Sequence, residues 1–128
     1  MNIQNLDLVE IGNLFIPDLC NYFKGAAISN LDEGLFVESY LFDFEEVRHL
    51  IPEQHCSNYE KSDLFNCASG VILFDAVPEE MENKEYSALL LVNEDYSRAL
   101  VFAIEETDSN TGENKIITLR NFIEDEGD

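Results

Sequence analysis

The sequence YSALLLVNEDYSRALVFAI, residues 86–104, contains two apolar runs joined by a short polar segment. The runs, residues 86–92 and 98–104, are rich in the aliphatic and aromatic side chains that strands of a buried sheet carry. Residues 93–97 connect them, and a connection of this length is typical of a β-hairpin. The stretch therefore predicts an antiparallel hairpin, and the other elements can be placed around it.

Two further segments extend the predicted hairpin into a sheet. Residues 71–77 form an apolar run rich in β-branched residues that ends at Pro78, and they predict a strand before the hairpin. Residues 115–123 alternate between apolar and polar side chains and predict a final strand. A turn-forming cluster that includes Gly112, residues 108–114, precedes that strand. The second half of the chain is thus predicted to be an antiparallel β-meander.

The N-terminal region is predicted to be helical. Apolar residues between Leu6 and Lys24 recur mostly three to five positions apart, which is the spacing of one helix face. Proline is disfavoured inside a helix, so Pro17 predicts either two short helices, the first ending near Phe15, or one kinked helix. Gly25 is expected to cap the C-terminal end.

The middle of the chain connects these two regions. Residues 35–42 predict a strand, and Asp43 with Glu46 three residues later has the form of a helix N-cap, which predicts a helix over residues 44–51. Residues 53–66 are polar, and their pattern fits a loop or a further helical turn. The chain is therefore predicted to be a single α+β domain, residues 1–128, with N-terminal helices packed on a mostly antiparallel sheet.

The charge of the chain restricts its function. It contains 27 acidic and 7 basic residues, a formal net charge of −20, together with 45% hydrophobic residues. This composition predicts a folded core beneath an acidic surface. The basic residues are scattered singly, which argues against direct binding to nucleic acid or to an anionic membrane surface. An acidic surface attracts cationic partners, so a basic protein is the expected partner.

The cysteines and the apolar segments indicate the compartment. Cys20, Cys56 and Cys67 form an odd set without CxxC spacing, which predicts reduced thiols. The first eight residues do not have the pattern of a secretory signal, and no apolar stretch approaches the roughly 18 residues of a membrane span. We expect a cytoplasmic protein.

Candidate chemical sites find little support in the sequence. His49, His55, Cys56 and Cys67 are the residue types that zinc prefers, but their spacing fits no common zinc pattern. Residues 108–119 match a calcium loop at its first and third positions and fail at the sixth and twelfth. No phosphate-binding glycine loop or nucleophile motif is present. We therefore predict no catalytic residues, no metal and no cofactor.

Carboxylates gather in the connections of the predicted meander. Alternate connections lie at the same end of a meander, so the connections before and after the hairpin should meet. We call their acids the acidic rim: Glu79, Glu80, Glu82, Glu85, Glu105, Glu106 and Asp108. Tyr86 is expected beside the rim, and the hairpin turn should carry Glu94, Asp95 and Tyr96 at the opposite end. Because acids steer a basic surface and tyrosines supply contact area, we predict all of these residues to bind the partner.

In its size and in these acidic groups, the chain resembles, at the level of class, the small acidic antagonists of bacteria. These are immunity proteins that neutralise nuclease or other toxins, and DNA-mimicking inhibitors. The resemblance implies a non-enzymatic protein that covers a cationic active site or nucleic-acid groove by charge and shape. An immunity protein is favoured over a DNA mimic, because the acids cluster near turns instead of lying in rows spaced like phosphates.

Two alternatives remain from the residues themselves. The first is a small enzyme or ligand-binding domain with a pocket between helices and sheet, to which Tyr40, His49, His55 or Cys56 would contribute; a convergent apolar pocket would favour it. The second is a structural or adaptor subunit whose acids keep it in solution; an exposed apolar patch would favour it.

Overall fold

The computed structural model describes residues 2–24, 26–61 and 64–125. Within these residues a five-stranded sheet is antiparallel throughout, with its strands side by side in chain order. The strands are β1 (Glu38–Asp43), β2 (Leu64–Ile72), β3 (Lys84–Asn93), β4 (Ala99–Asp108) and β5 (Asn114–Asn121). The helices are α1 (Leu8–Tyr22), α2 (Phe44–Val47), α3 (Cys56–Tyr59) and α4 (Phe122–Asp125). The predicted α+β class is confirmed, and so is the hairpin, which is β3 and β4.

Helix α1 covers one face of the sheet. Its buried side chains Ile11, Phe15 and Leu19 lie four residues apart and so form a single stripe. The ring of Phe15 stacks on that of Phe102 from β4, with 4.4 Å between their centroids. This stripe and the facing strand residues, with the segment between α1 and β1, form the larger of two hydrophobic clusters.

The short helices between β1 and β2 cover part of the opposite face. Phe44, Val47 and Leu50 pack there against Phe65 and Val101 in the second cluster. The sheet is therefore buried on both faces near the β3–β4 turn. Toward the other end of the strands, this second face carries exposed and half-buried side chains: Val71, Ser87 and Glu105 in one row across the strands, and Glu85 and Thr107 in the next.

Helix α1 contradicts the alternative of two short helices separated at Pro17 and leaves the alternative of one helix that includes Pro17. It is continuous from Leu8 to Tyr22 with Pro17 inside it. An interior proline costs about 3 kcal/mol, whereas Phe15 and Leu19 on either side of it are fully buried and contribute about 1.5–3 kcal/mol each, so packing offsets the lost hydrogen bond. The expected cap at Gly25 lies outside the described residues.

The strand predicted over residues 35–42 begins later, at Glu38. Leu35 and Phe36 are both buried between α1 and the sheet, and two consecutive buried side chains do not fit the alternation of an edge strand. Gly70 of β2 makes this passage possible, because a Cβ atom there would overlap the carbonyl oxygen of Leu35. The missing side chain at position 70 of β2 thus determines where the segment at Leu35 crosses to the sheet edge.

The strand predicted over residues 71–77 was misplaced. Strand β2 ends at Ile72, and its first part consists of residues 64–70. These residues are not predicted as a strand because several of their side chains are small or polar. Beyond Ile72 the chain pairs with residues 27–30: Phe74 forms a single bridge with Ile28, and the Leu73 carbonyl accepts from the Ser29 N–H at 2.8 Å. The final strand is also shorter than predicted, since residues after Asn121 turn into α4.

The predicted N-cap at Asp43 is confirmed. Its carboxylate accepts from the Glu46 N–H at 3.1 Å, and Glu46 reaches back to the Asp43 N–H. The helix that follows is α2 and then a 3₁₀ turn, Arg48–Leu50. Asp7 and Glu10, which are also three positions apart, form the same reciprocal cap on α1. The undecided residues 53–66 contain a 3₁₀ turn, Glu53–His55, then α3 and the start of β2.

Candidate partner-binding surface

The structure brings together the two connections that carry the acidic rim. In the register of β3 and β4, Glu85 lies opposite Thr107 and Tyr86 lies opposite Glu106. The connections are also bonded directly, because the Ser109 N–H and the Ser109 hydroxyl both donate to the Asn83 carbonyl, each at 2.7 Å. The rim is therefore one continuous surface at one end of the sheet.

This end of the sheet is strongly negative. Residues 75–85 and 105–115 contain nine carboxylates and two lysines, since Asp75 and Glu113 add to the rim acids. One of the two lysines, Lys84, is bound within the rim itself. Such a concentration of like charge raises the local attraction for cations.

Glu106 is a structural member of the rim. It is 17% exposed, its carboxylate lies 3.5 Å from the Lys84 ammonium, and it accepts a hydrogen bond from the Tyr86 hydroxyl. Burial, and next the hydrogen bond to Glu106, raise the pKa of Tyr86 above its usual range. Tyr86 is only 5% exposed and packs against Phe23 and Phe74, so it supplies almost no contact area to a partner, contrary to our expectation.

Asp108 is committed to the turn that follows β4. Its carboxylate accepts from the backbone N–H groups of Asn110 at 2.9 Å and Thr111 at 3.3 Å. Gly112 completes the turn at φ +76°, a conformation that favours glycine. The superficial calcium-loop pattern of residues 108–119 is thus a hairpin turn, as predicted.

Four of the five remaining rim acids point outward. Glu79 and Glu80 lie in a 3₁₀ turn, Glu79–Met81, and both are exposed, as are Glu82 and Glu85. Within residues 2–24, 26–61 and 64–125, no cation lies within ion-pair distance of these four carboxylates. Glu105 is half-buried on the sheet face and contributes to raising the pKa of Cys67. Four carboxylates of the rim are therefore free to meet a partner.

The β3–β4 turn lies at the opposite end of the sheet, as predicted. Asp95 accepts from the Ser97 side chain and N–H, and these bonds lower its pKa. Tyr96 is half-buried at φ +60°, and its hydroxyl bonds to Ser39 Oγ. Glu94 is exposed and lines a groove of about 610 Å³ with Asp95 and Arg98. Asp95 and Tyr96 thus shape this turn, and the structure does not bring any of the three to the rim.

The residues proposed for a small-molecule pocket do not converge. His49 and Cys56 line a groove of about 490 Å³, whereas His55 and Tyr40 are not among its lining residues. The Cys56 thiol is buried and donates to the carbonyls of Ile51 and Pro52, as a structural cysteine does. Among the residues that the structure describes, no cluster of three or more His, Cys, Asp or Glu side chains is arranged to hold a metal ion.

Sequence reasoning missed a group of exposed aliphatic side chains beside the rim. Val71, Leu73 and Val77 are 54%, 53% and 49% exposed. They line a groove of about 400 Å³ together with Glu82 and Glu85. Alternation could have indicated this, because Val71 and Leu73 share parity while Ile72 between them faces the core.

Comparison with known proteins adds no relative. No protein-family model, curated protein or solved structure matches the chain. Within the described part of the chain, every helix is too short or too polar to cross a membrane. The fold and the surface together define an acidic α+β protein.

Proposed function

We propose that this protein is a non-enzymatic binding protein that neutralises a basic protein partner, as an immunity protein blocks a bacterial toxin. The observation that carries the proposal is the set of free carboxylates on the rim, Glu79, Glu80, Glu82 and Glu85. Their neighbours Glu106 and Asp108 hold the surface in shape through bonds within the chain.

Electrostatic attraction of this kind acts before contact. At about 0.1 M salt, charges interact over roughly 10 Å, so a surface with nine carboxylates and two lysines attracts a basic protein from beyond contact distance. Complementary charge raises association rates well above the 10⁵–10⁶ M⁻¹s⁻¹ of uncharged surfaces, by roughly 10–1,000-fold. Fast capture suits an antagonist, because a toxin must be blocked before it acts.

The test is affinity capture with the tagged full chain from a lysate of its native host, at low salt, followed by salt-step elution and mass spectrometry. We expect one basic protein to stay bound at about 0.5 M salt, where screening removes most long-range attraction. The purified partner should form a one-to-one complex and lose its toxic activity in it. If no basic protein is retained at low salt, the proposal is wrong.

Two charge-matched variants localise the effect. The rim variant carries Glu79→Lys, Glu80→Lys and Glu82→Lys. The control carries Glu33→Lys, Glu53→Lys and Glu60→Lys, which changes the net charge equally at exposed positions elsewhere. We expect the rim variant to slow association at least tenfold and the control by less than about threefold. Equal reductions of the association rate in the two variants would mean that the rate depends only on the net charge of the protein.

The same capture separates the DNA-mimic alternative. An immunity complex is indicated if the purified partner degrades nucleic acid, or has another toxic activity, and this protein abolishes that activity. A partner that binds duplex DNA without any such activity, and that duplex DNA releases from the complex, would instead indicate mimicry of nucleic acid.

A further inference from the structure

The exposed aliphatic side chains beside the acidic rim form one defined groove, which we call the rim groove. Its lining includes Val71, Leu73, Val77, Glu82 and Glu85. Three of the most exposed aliphatic residues of the described chain thus share one concavity. The groove at Glu94 contains one exposed aliphatic residue, Leu64, and the groove at His49 contains none. Scattered apolar residues are ordinary on a surface, but a cluster in a groove marks an interaction site.

The exposed aliphatics are held in place by the backbone. The Asn30 side chain donates to the Val71 carbonyl at 2.6 Å and accepts from the Leu73 N–H at 3.0 Å. Ile72 lies between Val71 and Leu73, Phe74 follows Leu73, and both face inward. The Phe74 ring lies edge-on to the rings of Phe23 and Tyr86. Because this segment is anchored, Val71 and Leu73 are presented to solvent in a fixed arrangement, which lowers the entropy lost on binding.

The charges of the groove decide what kind of side chain it fits. Glu82 and Glu85 contribute unpaired carboxylates, while the cation of the groove, Lys84, is bound to Glu106. A second copy of this chain would bring carboxylates against carboxylates and a net charge of −20 against −20. An adaptor that used this patch for a neutral partner would leave two carboxylates without a counter-charge.

We propose that the rim groove is the anchor point for the basic partner, and that it takes an apolar side chain flanked by Lys or Arg. The inference rests on the proposed function and names the partner's recognition element. The acids steer and orient the partner, and burial of its apolar side chain against Val71 and Leu73 supplies the salt-resistant part of the affinity.

The test uses the full chain and two synthetic peptides of equal charge, Lys-Arg-Leu-Ile-Arg-Lys and Lys-Arg-Ser-Ser-Arg-Lys. Both are titrated at about 0.3 M salt, where screening leaves apolar contact as the main difference between them. We expect the aliphatic peptide to bind about tenfold more tightly, the change that burial of one Leu side chain produces. Amide chemical shifts should change most at residues 71–77 and 82–85.

A groove variant and a matched control identify the contact. Val71→Ser with Leu73→Ser should abolish the preference for the aliphatic peptide. Val9→Ser with Leu14→Ser removes two exposed aliphatics from α1 and should keep it. All four positions are more than two-fifths exposed, so both variants should fold, which circular dichroism checks. Equal binding of the two peptides, or equal loss in both variants, would overturn the groove as the anchor.

Failure of this inference is distinguishable from failure of the proposed function. If a basic partner is captured and the groove variant retains it at about 0.5 M salt as well as the native chain does, the groove is wrong and the function stands. If the native chain dimerises in sedimentation experiments and the groove variant is monomeric, the occupant is a second copy and the inference is likewise overturned. A peptide preference without any captured protein would refute the proposed function and the role of the groove as a partner anchor, while the groove would remain a binding site for basic segments with an apolar side chain.

Discussion

Alkaline pH should destabilise this protein through Cys67. The thiol lies in β2, 8% exposed, beside Leu91 of β3 in the sheet register. Burial, followed by the nearby carboxylate of Glu105, raises the pKa of Cys67 from 9.0 to about 11. The folded state thus holds this proton more tightly than the unfolded chain does. The stabilisation is complete below pH 9 and is lost as the pH rises through 11.

The size of the effect follows from the two pKa values. A shift from 9.0 to about 11 is worth about 3 kcal/mol once both states are fully ionised, since each pKa unit corresponds to about 1.4 kcal/mol. At pH 11 the folded thiol is half-ionised, so about 2 kcal/mol is already lost, against less than about 0.1 kcal/mol at pH 8. With a urea dependence of about 1.5 kcal/mol per M, the midpoint falls by roughly 1.3 M.

The assay is urea unfolding from pH 8 to 11 for the native chain and for Cys67→Ala. Alanine fits the buried strand position without excess volume and does not ionise, so its packing cost cancels when the two pH values are compared. Tyr86 also has a raised pKa, but Cys67 is not among its causes, so Tyr86 affects both proteins alike. The difference in unfolding free energy between the two proteins should change by about 2 kcal/mol in favour of the variant. A constant difference would refute the reasoning.

Three further predictions concern the packing and burial of single residues. Gly70→Ala should lower the unfolding free energy by about 3 kcal/mol in urea titrations, because the new Cβ meets the Leu35 carbonyl; unchanged stability would mean that this crossing is not tight. Phe15→Ala should cost about 3–5 kcal/mol in the same titrations, whereas Leu14→Ala on the exposed side of α1 should cost less than about 1 kcal/mol. Cys20 is the exposed member of the three cysteines and should react first with a thiol reagent, so a rapid phase that persists in Cys20→Ser would contradict the burial of the others.

Structure was predicted best from the sequence where the local preference of a segment agrees with its tertiary packing. The hairpin of β3 and β4 combines two long apolar runs with a short polar turn, and the N-cap at Asp43 depends on residues three positions apart. The meeting of the rim connections followed from meander topology alone. In each case, the pattern and the fold require the same local structure.

Prediction failed where packing overrides local preference. The cost of Pro17 is visible in the sequence, but the sheet that stabilises α1 around it is not. Residues 64–70 do not have the pattern of a strand because Asn66, Ser69 and Gly70 are polar or small, yet two of these residues meet requirements of the fold. Asn66 donates to the Glu94 carbonyl at 2.7 Å, and Gly70 admits Leu35. Such requirements arise from residues distant in sequence.

For the candidate site, the sequence predicts the charge, whereas the arrangement of the acids is visible only in the structure. Composition alone predicts a cationic partner, but it does not distinguish one rim acid from another. The structure separates them, because Glu106 and Asp108 are bound within the chain while Glu82 and Glu85 line a groove with exposed aliphatic side chains. Neutralising Glu106 should therefore lower stability by loosening Tyr86, whereas neutralising Glu82 should lower the rate of association and leave stability unchanged. Stability and association rate, measured on the same two variants, therefore distinguish acids that stabilise the surface from acids that attract a partner.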